Sequence, residues 1–322
     1  MTTRQSRIVD RALTRLKLRQ LRLLIAVGQH GNIVNAARDL GISQPAATKM
    51  IQDLELDFEV ELFERTNRGV IPTVFGEALI RHGKLIFAQV SNAAQELDDL
   101  NEGNSGRVVV GTLLATSPSL LPAAIERLVE DRPNVAIKIV LGTNDALIPA
   151  LLSGEIDLVV GRLPVYRYRT NIIQEKFFDE RVVMVAGPDH PLARKTGVTF
   201  DDMTGFGWVL PPIETTLRRQ IDQFFLRHDK FVPRLGVESV SYLANRSLLR
   251  ESNMLGIAPA DVAALDIEAG LLARIDWTVP FGAGPVGVSH RGEESLSPAS
   301  LAFLAALRDA VKDGRASRPG PV

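Results

Sequence analysis

The chain has 322 residues, 45% of them apolar and 23% charged, with 37 Lys/Arg against 38 Asp/Glu. That is ordinary globular composition for two or three compact domains, and a net charge of −1 argues against wholesale coating of nucleic acid. The absence of cysteine excludes disulfides, thiolate zinc sites and cysteine nucleophiles and fits a cytoplasmic protein, and no apolar run approaches the roughly 18 residues of a membrane helix.

The first residues, MTTRQSRIVDRALTRLKLRQLRLL, are basic and lack both a continuous apolar core and a small-residue cleavage site, so they are not read as a secretory signal. Charge is unevenly spread: residues 1–73 carry eleven Lys/Arg against eight Asp/Glu, and the remainder is net acidic. A modestly basic head on an acidic body suits a local DNA contact.

Leu18, Leu21, Leu24, Ile25 and Gly28 recur at helical spacing, with Gly31 as a stop. A second short helix is expected from about Asn32 to Leu40, with Asn32 as N-cap and Ala36, Ala37 and Leu40 packing. Gly41–Ile42 is a tight turn. Ser43 then caps a third helix with Pro45 in its first turn, Ala46, Ala47, Met50, Ile51 and Leu54 inward, and Gln44, Thr48, Lys49 and Gln52 outward. Small residues followed by a Gly turn are what two closely crossing helices of a helix-turn-helix need, and Gln, Lys and Thr suit major-groove base edges. A small helical bundle with a polar face is the alternative. ELFERTNRGVIPT reads as strand, basic turn, strand, which is a wing whose Arg65 and Arg68 would reach phosphate or the minor groove.

From Val74 to about Leu100 there is no proline, and Leu79, Gly83, Ile86, Val90, Ala93, Leu97 and Leu100 alternate at spacings of 4 and 3. That is a coiled-coil seam and is read as a dimerisation helix; a long helix packed on its own domain is the alternative. NEGNSG (Asn101 to Gly106) is expected to break it. The body alternates strand and helix: RVVVGTLL, SLLPAAIERLVEDRP, VAIKIVLGT, NDALIPALLSG and EIDLVVGRL argue for parallel βαβ units. Ligands in such sheets bind beyond the carboxyl ends of strands, here the turns Thr116–Ser117, Thr143–Asn144 and Arg162–Leu163. The first two are read as helix starts that favour an anion, with plain N-capping as the other reading. RVVMVAGPDHPLA, GFGWVLPP, TTLRRQIDQFFLRH and SYLANRSLLRESNMLGIAPADVA form a second unit, the last of them read as a helix, a strand and a further turn, with Trp208, Phe224 and Phe225 as core. ARIDWTVPF and GPVGVSHRG are late strands, PASLAFLAALRDAVK a closing helix, and DGRASRPGPV a disordered tail. The five histidines (His30, His82, His190, His228, His290) have no metal-like spacing, and there is no phosphate loop or nucleophile elbow. No cofactor and no catalytic role are expected.

AARDLGISQPAATKMIQDLE and VELFERTNRGVIPTVFGEAL together resemble, without gaps, the LysR-type transcriptional regulators. The likeness continues more loosely through GRVVVG, LLPAAIERLVEDRPNVAIKIV, LLSGEIDLVVGRL, DHPLA and LGIAPA, over about residues 17–312. Within that family, NVAIKIVLGTNDALIPALLSGEIDLVVGRL and GPVGV resemble the branch of the protocatechuate-operon activator and the galactose-binding-protein regulator. The resemblance implies an α/β protein with a winged helix-turn-helix at 1–73, a linker helix at 74–102 and a two-lobed body like a periplasmic binding protein at 103–312. Lobe I would be about 107–163 and 285–312, lobe II about 164–284, with the lobe crossover near Leu163–Pro164. It implies promoter DNA, a small-molecule effector, a homodimer or homotetramer and RNA polymerase as partners, and no membrane. Position by position, Gln44, Pro45, Thr48 and Lys49 fall where bases are read, Arg65 and Arg68 on the wing, and Thr116, Ser117, Thr143 and Asn144 around the effector cleft. Asn32–Ile33–Val34 departs from the Ser-Phe-Thr common there. The effector is expected to be an aromatic or sugar-derived acid. The body alone would also suit a solute-binding protein or an enzyme with a regulatory head.

Overall fold

The computed structural model describes residues 4–67, 69–102, 105–116, 118–164, 172–227, 235–282 and 284–315. The chain divides into two compact units, a head (residues 1–91) and a body (residues 92–322).

The head opens with a helix the sequence pattern did not announce, α1 (Arg4–Arg15), followed by α2 (Leu18–His30), α3 (Ile33–Asp39) and α4 (Gln44–Phe58). Local chemistry sets their ends. Gly31 closes α2 in the left-handed region (φ 60°), donating its N–H to Val27 O. Asn32 Oδ1 accepts from the N–H groups of Val34 and Asn35, and Ser43 Oγ accepts from that of Ala46. Gly41 (φ 65°) makes the turn, and Ile42 N–H donates to Ala37 O at 2.9 Å. Ala36, Ala37 and Ala47 are buried with Leu21, Leu24, Val27, Ile51 and Leu54 in one core, so the helices cross on small side chains. Two expectations for α4 change: Ala46 is exposed and Met50 only half-buried, because the inward stripe runs through Ala47, Ile51 and Leu54.

The hairpin β1 (Phe63–Thr66) and β2 (Gly69–Pro72) pairs antiparallel with Thr66 opposite Gly69. Its base is pinned where Val70 N–H donates to Gly31 O at 2.9 Å. Helix α5 (Val74–Glu102) follows directly, and a Cβ on Gly76 would lie 2.0 Å from Leu62 O, so only glycine lets it start there.

In the body, β3 (Ser105–Thr112), a 3₁₀ turn (Leu114–Thr116), α6 (Leu120–Asp131), β4 (Asn134–Leu141), α7 (Asn144–Leu152), β5 (Leu158–Arg162) and β6 (Ile173–Glu180) come first. Then follow β7 (Val182–Ala186), α8 (Phe200–Met203), β8 (Trp208–Leu210), α9 (Thr216–Arg227), β9 (Leu235–Glu238), α10 (Tyr242–Glu251), β10 (Leu255–Pro259), α11 (Ala260–Glu268) and β11 (Ala273–Arg274). The chain ends with β12 (Gly284–His290), a second 3₁₀ turn (Glu293–Ser295) and α12 (Pro298–Lys312). The first sheet has the order β4-β3-β5-β12-β6 and the second β11-β7-β10-β8-β9. The expected parallel units are there: β3 pairs parallel with β4 and β5, and β8 with β9 and β10.

Each sheet defines a lobe with helices on both faces. In lobe I, α6 and α12 bury Leu120, Leu128, Phe303 and Leu307 on one side, and α7 buries Leu147, Ile148 and Leu151 on the other. In lobe II, α9 packs Leu217, Ile221 and Phe225 around Trp208, while α10 and α11 cover the other face. Trp208 and Phe225 meet edge-on at 5.8 Å, and Phe224 packs beside them, so the aromatics are core.

Four expectations are corrected. The crossover does not fall at Leu163–Pro164, because β6 runs antiparallel to β12 inside the first sheet, and the chain enters lobe II only at Arg181–Val182. Gly287 allows that pairing, since a Cβ there would lie 1.9 Å from Glu175 O. The expected turn after LGIAP is α11. The break at Asn101–Gly106 is shorter, with α5 reaching Glu102 and β3 starting at Ser105. Of the tail, Asp313 and Arg315 are tied by ion pairs to Arg127 and Glu126, and residues 316–322 lie outside the described residues.

Candidate functional site

On the head, Gln44, Pro45, Lys49 and Gln52 are exposed and Thr48 is half-buried, all on α4. Positions 45, 48, 49 and 52 recur at helical spacing, so they share the face opposite the buried Ala47, Ile51 and Leu54. Arg65 is exposed on β1, and neither it nor Lys49 is held in an ion pair among the described residues. Arg68 lies outside the described residues. The other end of α4 is braced by α1: Arg11 donates to Leu56 O and pairs with Glu59, and Arg15 lies 3.6 Å from Asp57. Glu59, in the left-handed region (φ 57°), ends the helix.

The heptad residues of α5 divide. Leu79 packs into the head's own core, and Gly83 is buried, with Leu21 and Ile25 side chains 3.5–3.7 Å from where its Cβ would stand. Ile86, Val90 and Leu97 are 38%, 49% and 63% exposed, and Ala93 is exposed. The side chain of Leu100 lies outside the described residues.

The body holds a cleft of about 1020 Å³ between its lobes. Lobe I contributes the ends of β3, β4 and β5, with Leu113, Thr143, Asn144 and Arg162. Thr143 caps α7 by position without a side-chain capping bond. Asn144 Nδ2 donates to Arg162 O at 2.9 Å. Arg162 pairs with Glu180, which is buried; burial pushes that carboxyl up, with the Arg162 guanidinium opposing. The arginine expected to be open to a ligand is therefore already engaged.

Thr116 is not in the cleft. It is fully buried, its hydroxyl 3.0 Å from Thr112 Oγ1 and 3.1 Å from Val160 O, so it fastens the turn to β5. The helix start expected at Thr116–Ser117 comes later, at Leu120, and Ser117 lies outside the described residues.

Lobe II supplies polar groups the sequence reading missed: Thr216, Arg219, Gln220 and Gln223 on α9, and Ser239, Tyr242, Asn245 and Arg246 at and after β9. A signal was available, since 216, 219, 220 and 223 form a polar stripe opposite Leu217, Ile221 and Phe225. Tyr242 donates to Asp266 Oδ2 at 2.7 Å, and burial followed by that carboxylate pushes its phenol up; Arg246 pairs with the same Asp266 at 3.2 Å. Behind the wall, Arg218 is buried and holds Asp222, Glu238 and Pro211 O. The cleft thus offers amides, hydroxyls and arginines around an apolar floor, an arrangement built to enclose a small molecule.

Family models agree with this division. Residues 18–77 match "Bacterial regulatory helix-turn-helix protein, lysR family", and residues 101–312 match "LysR substrate binding domain". The chain is 33% identical to the HTH-type transcriptional regulator GbpR of Azospirillum brasilense over 92% of its own length and 87% of that protein. It is 30% identical to the HTH-type transcriptional regulator PcaQ of Agrobacterium fabrum, covering 94% and 98%. Among solved structures, CbnR, a LysR family transcriptional regulator, aligns over 92% of this chain and all of that one, with a TM-score of 0.66 at 23% identity. A full-length OxyR variant from Pseudomonas aeruginosa aligns over 95% and 98%, with a TM-score of 0.65 at 22% identity. With a matched head, a matched body and full-length relatives that are regulators rather than enzymes, this chain belongs to the LysR family of transcriptional regulators, a DNA-binding helix-turn-helix joined to an effector-binding α/β domain.

Proposed function

We propose that α4 enters the major groove with Gln44, Pro45, Thr48, Lys49 and Gln52 at base edges or phosphates, while Arg65 and Arg68 of the wing reach the DNA backbone. The observation that carries this reading is the capped, exposed stripe of α4, backed by a packed core that leaves Gln44, Lys49 and Gln52 no internal role. Two copies join through the open part of α5 (Ile86, Val90, Ala93, Leu97), and pairs of dimers form a tetramer on promoter DNA. A small molecule in the cleft favours one lobe arrangement, changing the placement of the dimers and their contact with RNA polymerase. The site of action is the cytoplasm. Domain limits consistent with the sheets are 1–73 for the winged helix and 74–102 for the linker helix. Lobe I takes about 105–180 and 284–312, and lobe II about 182–274.

The test is genome-wide mapping of bound DNA, with wild type beside a Gln44→Ala, Lys49→Ala double variant of unchanged melting temperature. Discrete sites sharing an interrupted palindrome and lost in the variant are expected. Sites that persist in the variant would remove α4 as the reader.

A further inference from the structure

Helix α1 precedes the family-matched segment 18–77, so no role for it comes with the family. It packs on α4. Arg11 and Arg15, one turn apart on the same face, meet the carboxyl end of that helix: Arg11 donates to Leu56 O at 3.5 Å and pairs with Glu59, and Arg15 lies 3.6 Å from Asp57. Leu56 O is among the last four carbonyls of α4, which the helix's own turns leave open, and α4 has no basic residue in its last turn. Glu55, Asp57 and Glu59 instead add negative charge to the negative pole of the helix. The cations missing from α4 come from α1.

Glu59 adds a second observation. Its φ is 57°, and among the described residues it is the one residue other than glycine in the left-handed region. Glycine ends a helix this way without a Cβ penalty, whereas a glutamate there must be held. Arg11 holds its carboxylate, and both side chains are partly shielded from water.

The position matters because Glu59 to Leu62 are all that separates α4 from β1. The far side of this joint is fixed. Leu62 is buried and its N–H donates to Glu55 Oε1 at 2.9 Å, while Thr73 Oγ1 donates to Glu61 O at 2.7 Å. The backbone angle at Glu59 therefore sets the direction in which the chain leaves α4 for the wing.

Taking α4 as the reader, as proposed above, we infer that Arg11 is a positioning residue for DNA recognition: α1 clamps Glu59 in the left-handed conformation and so fixes Arg65 of the wing relative to the base-facing stripe of α4. Arg11 itself touches no DNA in this arrangement. Its loss lets the joint relax, and helix and wing no longer meet the groove and the backbone together. Sequence discrimination falls first, because it needs both contacts in register, whereas nonspecific binding needs only charge.

The test uses the full-length protein, a duplex carrying one site recovered by the mapping above and a scrambled duplex of equal length. Fluorescence anisotropy well below the melting temperature reads both affinities. Arg11→Ala should weaken the specific duplex about fivefold and the scrambled one by less than about twofold. Changes at Glu59 then separate clamp from charge. The double variants Arg11→Ala, Glu59→Gly and Arg11→Ala, Glu59→Gln both restore the net charge, but only glycine accepts the left-handed conformation freely. The glycine double variant should return to within about twofold of wild type, and the glutamine one should stay weak. The inference is overturned if Arg11→Ala binds the specific duplex like wild type, if both duplexes weaken alike, or if the two double variants behave alike. The α4 reading fails by a different result: a map without discrete sites, or a Gln44→Ala, Lys49→Ala variant that keeps the specific duplex, removes the reader and the clamp's purpose with it.

Discussion

The imidazoles of His190 and His290 are both buried in the body, and each accepts a backbone N–H at Nδ1, from Leu192 at 3.1 Å and from Gly292 at 3.2 Å. Protonating that nitrogen would break the bond and leave a charge out of water. Burial accordingly lowers both groups from the ordinary 6.5, with Glu293 and Glu175 opposing at His290 and Arg308 assisting. The unfolded chain accepts these protons and the folded body resists them. Their contribution to stability is thus complete above pH 6.5 and is lost as pH falls from there toward the depressed folded values. The melting temperature of the full chain should drop between about pH 7.5 and about pH 5.5, and a His190→Gln, His290→Gln variant should show a shallower drop. An unchanged slope in the variant would place the acid sensitivity on other groups. Thr116 and Thr143 make a related point about residue type: one hydroxyl is spent on the sheet, the other sits at the cleft without a capping bond.

Among the elements, α5 is where one periodic pattern serves two purposes. Leu79 and Gly83 face the head's own core, while Ile86, Val90 and Leu97 are open. Leu79→Ala should destabilise the head by about 1–3 kcal/mol through lost packing. Leu97→Asp should leave the head's melting unchanged and shift the sedimentation equilibrium toward monomer by placing a charge on the proposed dimer seam. If Leu79→Ala alone dissociated the protein, or Leu97→Asp left the oligomer intact, the division of the seam would be wrong. Helix α1 belongs to the same scale. It lies outside the family-matched segment 18–77, yet Arg11 and Arg15 tie it to the end of α4, where a cation also meets the negative pole of the helix. The basic stretch at the start of the chain, read only as a charge bias, is an element because of those partners about 45 residues away.

At the scale of the whole body, the passage from lobe I to lobe II follows β6, and the Arg162–Glu180 pair stands at its end beside the cleft. Replacing Glu180 by Gln removes a buried carboxylate whose cost of burial exceeds what Arg162 returns, but it leaves that arginine unpaired. Stability should fall by about 1–3 kcal/mol in chemical denaturation, while affinity for a carboxylate ligand in the cleft rises because the Arg162 guanidinium becomes free. An unchanged carboxylate affinity would show that Arg162 cannot turn toward the ligand. The sequence by itself determined the helix-turn-helix with its caps and glycine turns, the wing, the alternation of strands and helices, and the family. These depend on chemistry within a few residues: 3.6-residue periodicity, an N-cap oxygen, a glycine with positive φ. Only the tertiary structure decided that β6 joins the first sheet, that Leu79 and Gly83 turn inward, that Thr116 is a fastening and Arg162 is engaged, and that lobe II supplies half the cleft. Each of those depends on a partner brought near by the folding of the chain, and no local pattern encodes where such a partner will stand.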